Sequence, residues 1–146
     1  MEQVHSVSYM PPVPVSPRAP VGDWERKCWG WTRPIFRSST CSAHELKTLP
    51  GWQCSRHHQE HRSNRFVVIS GLIGVAVETP FGTARHLLHP GQVMDVHPLN
   101  WHYFQSFEAS LMMEMYFAQD GSEIDEADIV RDYENLGCPI KSLELG

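Results

Sequence analysis

From Trp24 to Phe117 the apolar residues fall in short runs rich in valine, isoleucine, phenylalanine and tyrosine, broken every few positions by Gly, Pro, Ser or Asn. Runs of that length and spacing predict the strands of an all-β sandwich or barrel, and no long helical period interrupts them. Strands are expected at 43–49, 53–58, 65–70, 72–78, 84–88, 93–96, 101–107 and 111–117. Glu78-Thr79-Pro80-Phe81-Gly82 and His89-Pro90-Gly91-Gln92 predict turns, because proline fixes φ and glycine reaches the left-handed region. Hairpins therefore join the flanking strands. Trp52, Phe66, Met94, Phe104, Met113 and Met115 are expected in the core.

The two flanks read differently. Pro11, Pro12, Pro14, Pro17 and Pro20 make residues 1–22 an extended, proline-rich arm without a core of its own. Val4, Val7, Tyr9, Val13 and Val15 give that arm an apolar side, which predicts packing on its own barrel or on a partner subunit, and a homodimer is the expected assembly. After Gln119-Asp120-Gly121 the chain turns acidic. Ser122, three residues before Asp125, opens a candidate capping box for a short helix through Ala127, Val130 and Tyr133, ended by Gly137 and Pro139. The expected organisation is an arm at 1–22, a β-barrel at 23–120 and a helical or irregular segment at 121–146 packed on the barrel.

Length and charge narrow the function classes. A chain of 146 residues with 41% hydrophobic and 20% charged positions suits one globular domain and excludes a disordered one. The net charge of −5, with no basic run, leaves nucleic acid without an electrostatic footprint. The longest apolar stretch, from Phe66 to Val77, is too short to span a bilayer, and no basic start precedes an apolar segment as in a signal peptide. A soluble, cytoplasmic protein without a membrane partner is the expectation. Cys28, Cys41, Cys54 and Cys138 form no CxxC pair and read as reduced thiols.

The 9 histidines change the picture, since imidazole is the commonest metal ligand. In Gly51-Trp52-Gln53-Cys54-Ser55-Arg56-His57-His58-Gln59, strand alternation sends His57 and Gln59 to one face and His58 to the other. Pro90-Gly91-Gln92 leads on to Trp101-His102, a further histidine on a later strand. Two imidazoles with the neutral amide oxygen of Gln59 suit a borderline divalent ion such as Zn, Ni or Fe. The competing reading is a polar barrel mouth in which His57 and His102 hydrogen-bond each other, water and Gln59. His58 and His61 are reserve ligands, while His86, His89 and His97 read as surface residues. Arg56, Arg62, Arg65 and Arg85 supply positive charge in an acidic chain, and Trp101 and Tyr103, beside His102, are candidates to line a pocket.

Gly51, His57, Gln59, Asn64 and Gly71 resemble the first motif of the cupin superfamily, a Gly, a His-x-His pair, a Glu and a closing Gly, with Asn64 in the place of the Glu. Gly91 and His102 resemble its second motif. The resemblance implies a double-stranded β-helix, or jelly-roll barrel, holding a metal through His57, Gln59, His102 and Asn64. A narrower resemblance, over about 24–137, is to bacterial mannose-6-phosphate isomerases of the type fused to GDP-mannose pyrophosphorylase. Lys27-Cys28-Trp29-Gly30, the segment from His57 through Arg62 and Asn64 into Val67-Val68-Ile69-Ser70-Gly71, and Asp128-Ile129-Val130-Arg131-Asp132-Tyr133 carry it. It implies a small-molecule substrate, a phosphorylated or nucleotide-linked sugar, with Arg62 on its anionic group, Trp101 and Tyr103 beside it, and aldose–ketose isomerisation as the reaction. No residue is singled out as the general base. Two alternatives stand beside it: an iron-dependent dioxygenase on the same fold, and a non-catalytic sugar-binding or structural cupin.

Overall fold

The computed structural model describes residues 22–140. The arm read at 1–22 lies outside them except for Gly22, whose N–H donates to the Pro34 carbonyl at 3.0 Å. The strands are β1 Glu25–Lys27, β2 Gly30–Arg37, β3 Cys41–Thr48, β4 Trp52–Gln53, β5 His57–His58, β6 Ser63–Ser70, β7 Ile73–Thr79, β8 Gly82–Leu88, β9 Val93–Val96, β10 His102–Ser106, β11 Ser110–Phe117, β12 Val130–Arg131 and β13 Cys138–Pro139. They form two antiparallel sheets. One runs β1-β2-β3-β11-β6-β9, and the other runs β12-β5-β10-β4-β13, with β7 also on β10 and β8 on β7.

Alternation along the central strands separates the barrel into two ends. On β6 the buried positions run Asn64, Phe66, Val68, on β10 His102, Phe104, and on β11 Tyr116 and Met112 flank the half-buried Glu114. Each strand thus turns a polar side chain inward at one end and an apolar one further along. The apolar end is closed by Leu46, Phe66, Val68, Ile73, Val75, Phe104 and Met112. Trp29 and Phe66 meet Phe104 edge-on, with centroids 5.0 and 6.3 Å away. Full burial of each such ring contributes roughly 1.5–3 kcal/mol, which leaves the opposite end to carry polar groups at a cost the core offsets.

Three expectations are corrected by the local chemistry. The strand read at 53–58 is split into β4 and β5: the Phe104 N–H donates to the Cys54 sulfur at 3.1 Å instead of to a carbonyl, and the Arg56 N–H leaves the ladder for the Asn135 carbonyl. β1 and β2 were not expected. β2 carries Pro34, which has no N–H to donate, and the ladder shifts register between Pro34 and Phe36 to accommodate it. The helix expected through Ala127, Val130 and Tyr133 does not form, and no helix occurs among the described residues. Aspartate side chains compete for its backbone: Asp120, Asp125 and Asp132 accept the N–H groups of Ser122, Ala127 and Glu134, each two residues on. The segment instead runs as an irregular strap, joined to β5 by β12 and to β4 by β13.

Candidate functional site

The polar end of the barrel opens into a cavity of about 520 Å³, whose lining includes His44, Ser55, His57, Arg62, Glu114 and Tyr116, with Arg131 and Ile129 from the strap. Register brings the two predicted imidazoles together. His102 lies opposite His57 across the β10–β5 pair, and their rings are 4.5 Å apart.

Both rings are held in the same way. His57 Nδ1 is 2.7 Å from the Ser55 carbonyl oxygen and His102 Nδ1 is 2.8 Å from that of Asn100. A carbonyl accepts only, so each Nδ1 carries a proton and donates it. Burial, reinforced by the neighbouring His102, pushes the His57 imidazole down to about 3, and burial pushes His102 down to about 4. Near neutral pH both rings are therefore uncharged, with the lone pair on Nε2. That tautomer, fixed by a carbonyl on the other nitrogen, is the one a metal-binding histidine needs.

The Nε2 of His57 is buried with no hydrogen-bond partner among the described residues. The Nε2 of His102 accepts from Asn64 Nδ2 at 3.3 Å, and the same amide donates to Glu114 Oε2 at 3.3 Å. Asn64 Oδ1 and Gln59 Nε2 are buried without partners as well. All four residues read as ligands, His57, Gln59, Asn64 and His102, are buried, and the described contacts join three of them, His57, His102 and Asn64. Orphaned polar atoms in a dry interior cost free energy, and a ligand that satisfies them recovers it. The donor set fits a divalent ion in chemistry. No cage of three or more His, Cys, Asp or Glu side chains is assembled among the described residues.

Arg62, read as the anion contact, is 3% exposed. Its guanidinium lies 3.8 Å from the Tyr116 ring centroid, and its Nε and Nη2 donate to the Asp128 and Glu126 carbonyls at 3.2 and 3.5 Å. Nη1 stands 3.9 Å from Glu126 Oε2, beyond hydrogen-bond reach, and has no hydrogen-bond partner. The strap fixes this arginine. The Asp128 carboxylate accepts the backbone N–H groups of Glu60, His61 and Arg62 at 2.8, 3.0 and 3.1 Å. Burial alone would raise that carboxyl, but the three donors hold it below its ordinary value.

Trp101 and Tyr103 do not line the cavity. They flank His102 on an extended chain and so face away from it. Trp101 lies under the Arg56 guanidinium, 4.0 Å from its ring centroid, and meets His58 edge-on, while Arg56 pairs with Glu78 and Asp132. Tyr103 packs against the margin of the apolar cluster. Sequence reasoning missed His44, Glu114, Tyr116 and Arg131. The signal was present for two of them: on β11 Glu114 shares its face with the buried Met112 and Tyr116, and on β3 His44 shares its face with Ser42 and Leu46. His44 has an unpartnered Nδ1 and is held below its ordinary pKa, first by burial.

No protein-family model matches the sequence, and no curated protein matches it. Solved structures do match in shape. Oxalate decarboxylase from Bacillus subtilis superposes with a TM-score of 0.64 at 13% identity, over 75% of this chain and 30% of that one. The formate complex of Lactobacillus farciminis oxalate decarboxylase gives 0.62 at 14%, over 75% and 33%. KdgF from a Halomonas species gives 0.59 at 18% identity, over 66% of this chain and 88% of that one. The chain spans about 30% of the length of the B. subtilis enzyme. At these identities the likeness concerns architecture, and with two antiparallel sheets closing on one polar end, the chain has the cupin fold.

Proposed function

We propose that the polar end of the barrel binds a divalent transition metal, Zn, Ni or Fe, and beside it a small anionic substrate, with a sugar phosphate as the leading class. One observation carries this reading: two buried, neutral imidazoles 4.5 Å apart, both with Nδ1 committed to a carbonyl and Nε2 left as the lone-pair nitrogen. His57 and His102 would hold the ion, with Asn64 and Gln59 as neutral neighbours. The metal would supply Lewis acidity, polarising a carbonyl or holding adjacent sugar oxygens. The chain's own residues do the rest. Arg62 offers a buried Nη1 to a phosphate or carboxylate oxygen, and the strap that fixes Arg62 also contributes Glu126, Ile129 and Arg131 to the cavity lining. The B. subtilis oxalate decarboxylase, similar in fold, has Mn(II) centres, which supports a metal here in general terms and leaves its identity to experiment.

Elemental analysis of the purified protein tests the first half, with about one transition-metal ion per chain expected. A screen of sugar phosphates for aldose–ketose interconversion, with iron-dependent oxygen uptake measured in parallel, tests the second. Metal-free protein that gains no metal on incubation with Zn, Ni or Fe refutes the reading.

The assembly read from the arm extends the proposal. A homodimer would cover the exposed Leu87 on β8 and Val93 on β9, which lie at the margins of the two sheets. No described helix is long and apolar enough to cross a membrane.

A further inference from the structure

The metal reading leaves an imbalance of charge. His57, His102, Asn64 and Gln59 are all neutral donors, so a divalent ion among them would carry its full charge into a buried site. An uncompensated buried charge is costly by several kcal/mol, and Arg62 and Arg131 at the cavity add positive charge. A nearby carboxylate would offset that charge, and the position that resembles the cupin glutamate holds Asn64.

Three acids line the cavity: Glu25, Glu114 and Glu126. Glu25 is exposed and is paired to Lys27 at 3.0 Å. The Glu126 side chain, 44% exposed, stands at the rim beside Arg62. Only Glu114 is joined to the imidazole pair. Its Oε2 accepts from Asn64 Nδ2 at 3.3 Å, and that nitrogen is 3.3 Å from His102 Nε2. A single amide group therefore separates the carboxylate from the second imidazole. The register explains how. Asn64 faces Tyr116 across the β6–β11 ladder and Glu114 lies two residues back on the same face, the diagonal relation in which long side chains reach one another.

Resting on the metal reading, we propose that Glu114 supplies the anionic charge of this site from β11, acting through the Asn64 amide, in place of the carboxylate missing at position 64. The amide of Asn64 occupies the space between Glu114 and His102, and its Oδ1 is buried without a partner. His44, directly across the β3–β11 ladder from Glu114, lies on the far side of the same carboxylate, with an unpartnered Nδ1.

The test is Co(II) binding by the full chain after chelation, followed by absorbance of the bound ion and by equilibrium dialysis, so that no activity is needed. The wild-type protein is expected to bind one Co(II), and Glu114→Gln, which keeps the shape and removes the charge, to bind it about 10–100-fold more weakly with an altered spectrum. The double variant Asn64→Glu with Glu114→Gln, which moves the carboxylate back across the ladder, is expected to recover most of the affinity. Circular dichroism checks the fold of each variant, and Glu114→Ala replaces Glu114→Gln where the latter does not fold. Equal affinity and an unchanged spectrum in wild type and the Glu114 variant overturn this proposal while leaving the metal reading intact. A wild-type protein that binds no Co(II) overturns both.

Discussion

Two imidazoles buried in the neutral form make the metal-free protein sensitive to mild acid, and the size of the effect follows from the structure. His57 is held at about 3 and His102 at about 4, against an ordinary value near 6.5 in the unfolded chain. Both shifts are downward, so as pH falls through 6.5 the unfolded state takes up two protons that the folded state refuses. Stability is then complete above about 7 and falls by roughly 1.4 kcal/mol per histidine for each pH unit below 6.5. Between pH 7.5 and pH 5.0 the loss comes to ~2 kcal/mol for each ring, or ~4 kcal/mol for the pair, a large fraction of the 5–15 kcal/mol that usually holds a domain together. The acids do not blur this window. Glu78, hydrogen-bonded to Arg56, Asp95, hydrogen-bonded to Arg65, and Asp128 are all held below their ordinary values and titrate at lower pH. The lowered His44 adds to the effect in the same direction. The assay is urea unfolding with chelator present at the two pH values, on wild type and on the His57→Gln/His102→Gln double variant. The wild type should lose ~4 kcal/mol and the double variant far less. A wild-type free energy that changes by under about 1 kcal/mol, or a double variant with the same slope, refutes the reasoning.

The remaining predictions are more local. Replacing His102 by Ala removes one of the two Nε2 donors and should abolish bound metal while the fold persists, as read by metal stoichiometry and thermal melting; retained metal with a lower melting point sinks the site. Asp128→Ala strips the acceptor from three backbone N–H groups and should cost ~2–3 kcal/mol in urea unfolding, with faster proteolysis of the strap; because the carboxyl is held low, this contribution should disappear only below about pH 4. Gly30→Ala places a methyl 1.9 Å from the Lys47 carbonyl oxygen at a φ of 145°, so it should destabilise by more than ~1–3 kcal/mol in thermal or urea unfolding. Deleting residues 1–22 should lower the mass measured by light scattering and expose dye-binding apolar surface; an unchanged mass and melting temperature would exclude the arm from assembly.

What the sequence revealed followed from period-two alternation, and what it hid followed from context. β6 was legible because Asn64, Phe66 and Val68 alternate with Arg65 and Val67, and the same rule placed His102 and Phe104 inside. That rule also turns Trp101 and Tyr103 away from His102, so their expected place beside the substrate conflicted with the pattern that located the histidine. Glu114 escaped notice because Met112, Met113 and Met115 make β11 read as apolar on both faces; alternation groups the acid with Met112 and Tyr116, and only their burial shows that this face is the inner one. The strap failed for a different reason. Ser122 and Asp125 match a helix start by spacing, but Asp125 instead bonds the Ala127 N–H, and Asp128 is spent on the loop at 60–62. No local signal shows that an aspartate is needed by a distant segment.

Arg62 and Glu114 both line the cavity and share no hydrogen bond or ion pair among the described contacts, while Glu126 stands 3.9 Å from Arg62 Nη1 at the rim. Arg62 is hydrogen-bonded to two backbone carbonyls and stacked on Tyr116, and Glu114 to the Asn64 amide, so the described hydrogen bonds of each go to neutral groups. Elsewhere the chain pairs its charges directly: Arg33 with Glu45, Arg56 with Glu78 and Arg65 with Asp95. A direct Arg62–Glu114 pair would satisfy the interior most simply, and it is also the arrangement that leaves neither charge for a ligand. Without a mutual pair, the guanidinium remains available to an anion and the carboxylate to a cation. A substrate that brings an anionic group to Arg62 and an oxygen toward the imidazole pair would complete both partial networks at once. For that reason metal and anion should bind with positive coupling, and each should weaken when the residue serving the other is changed.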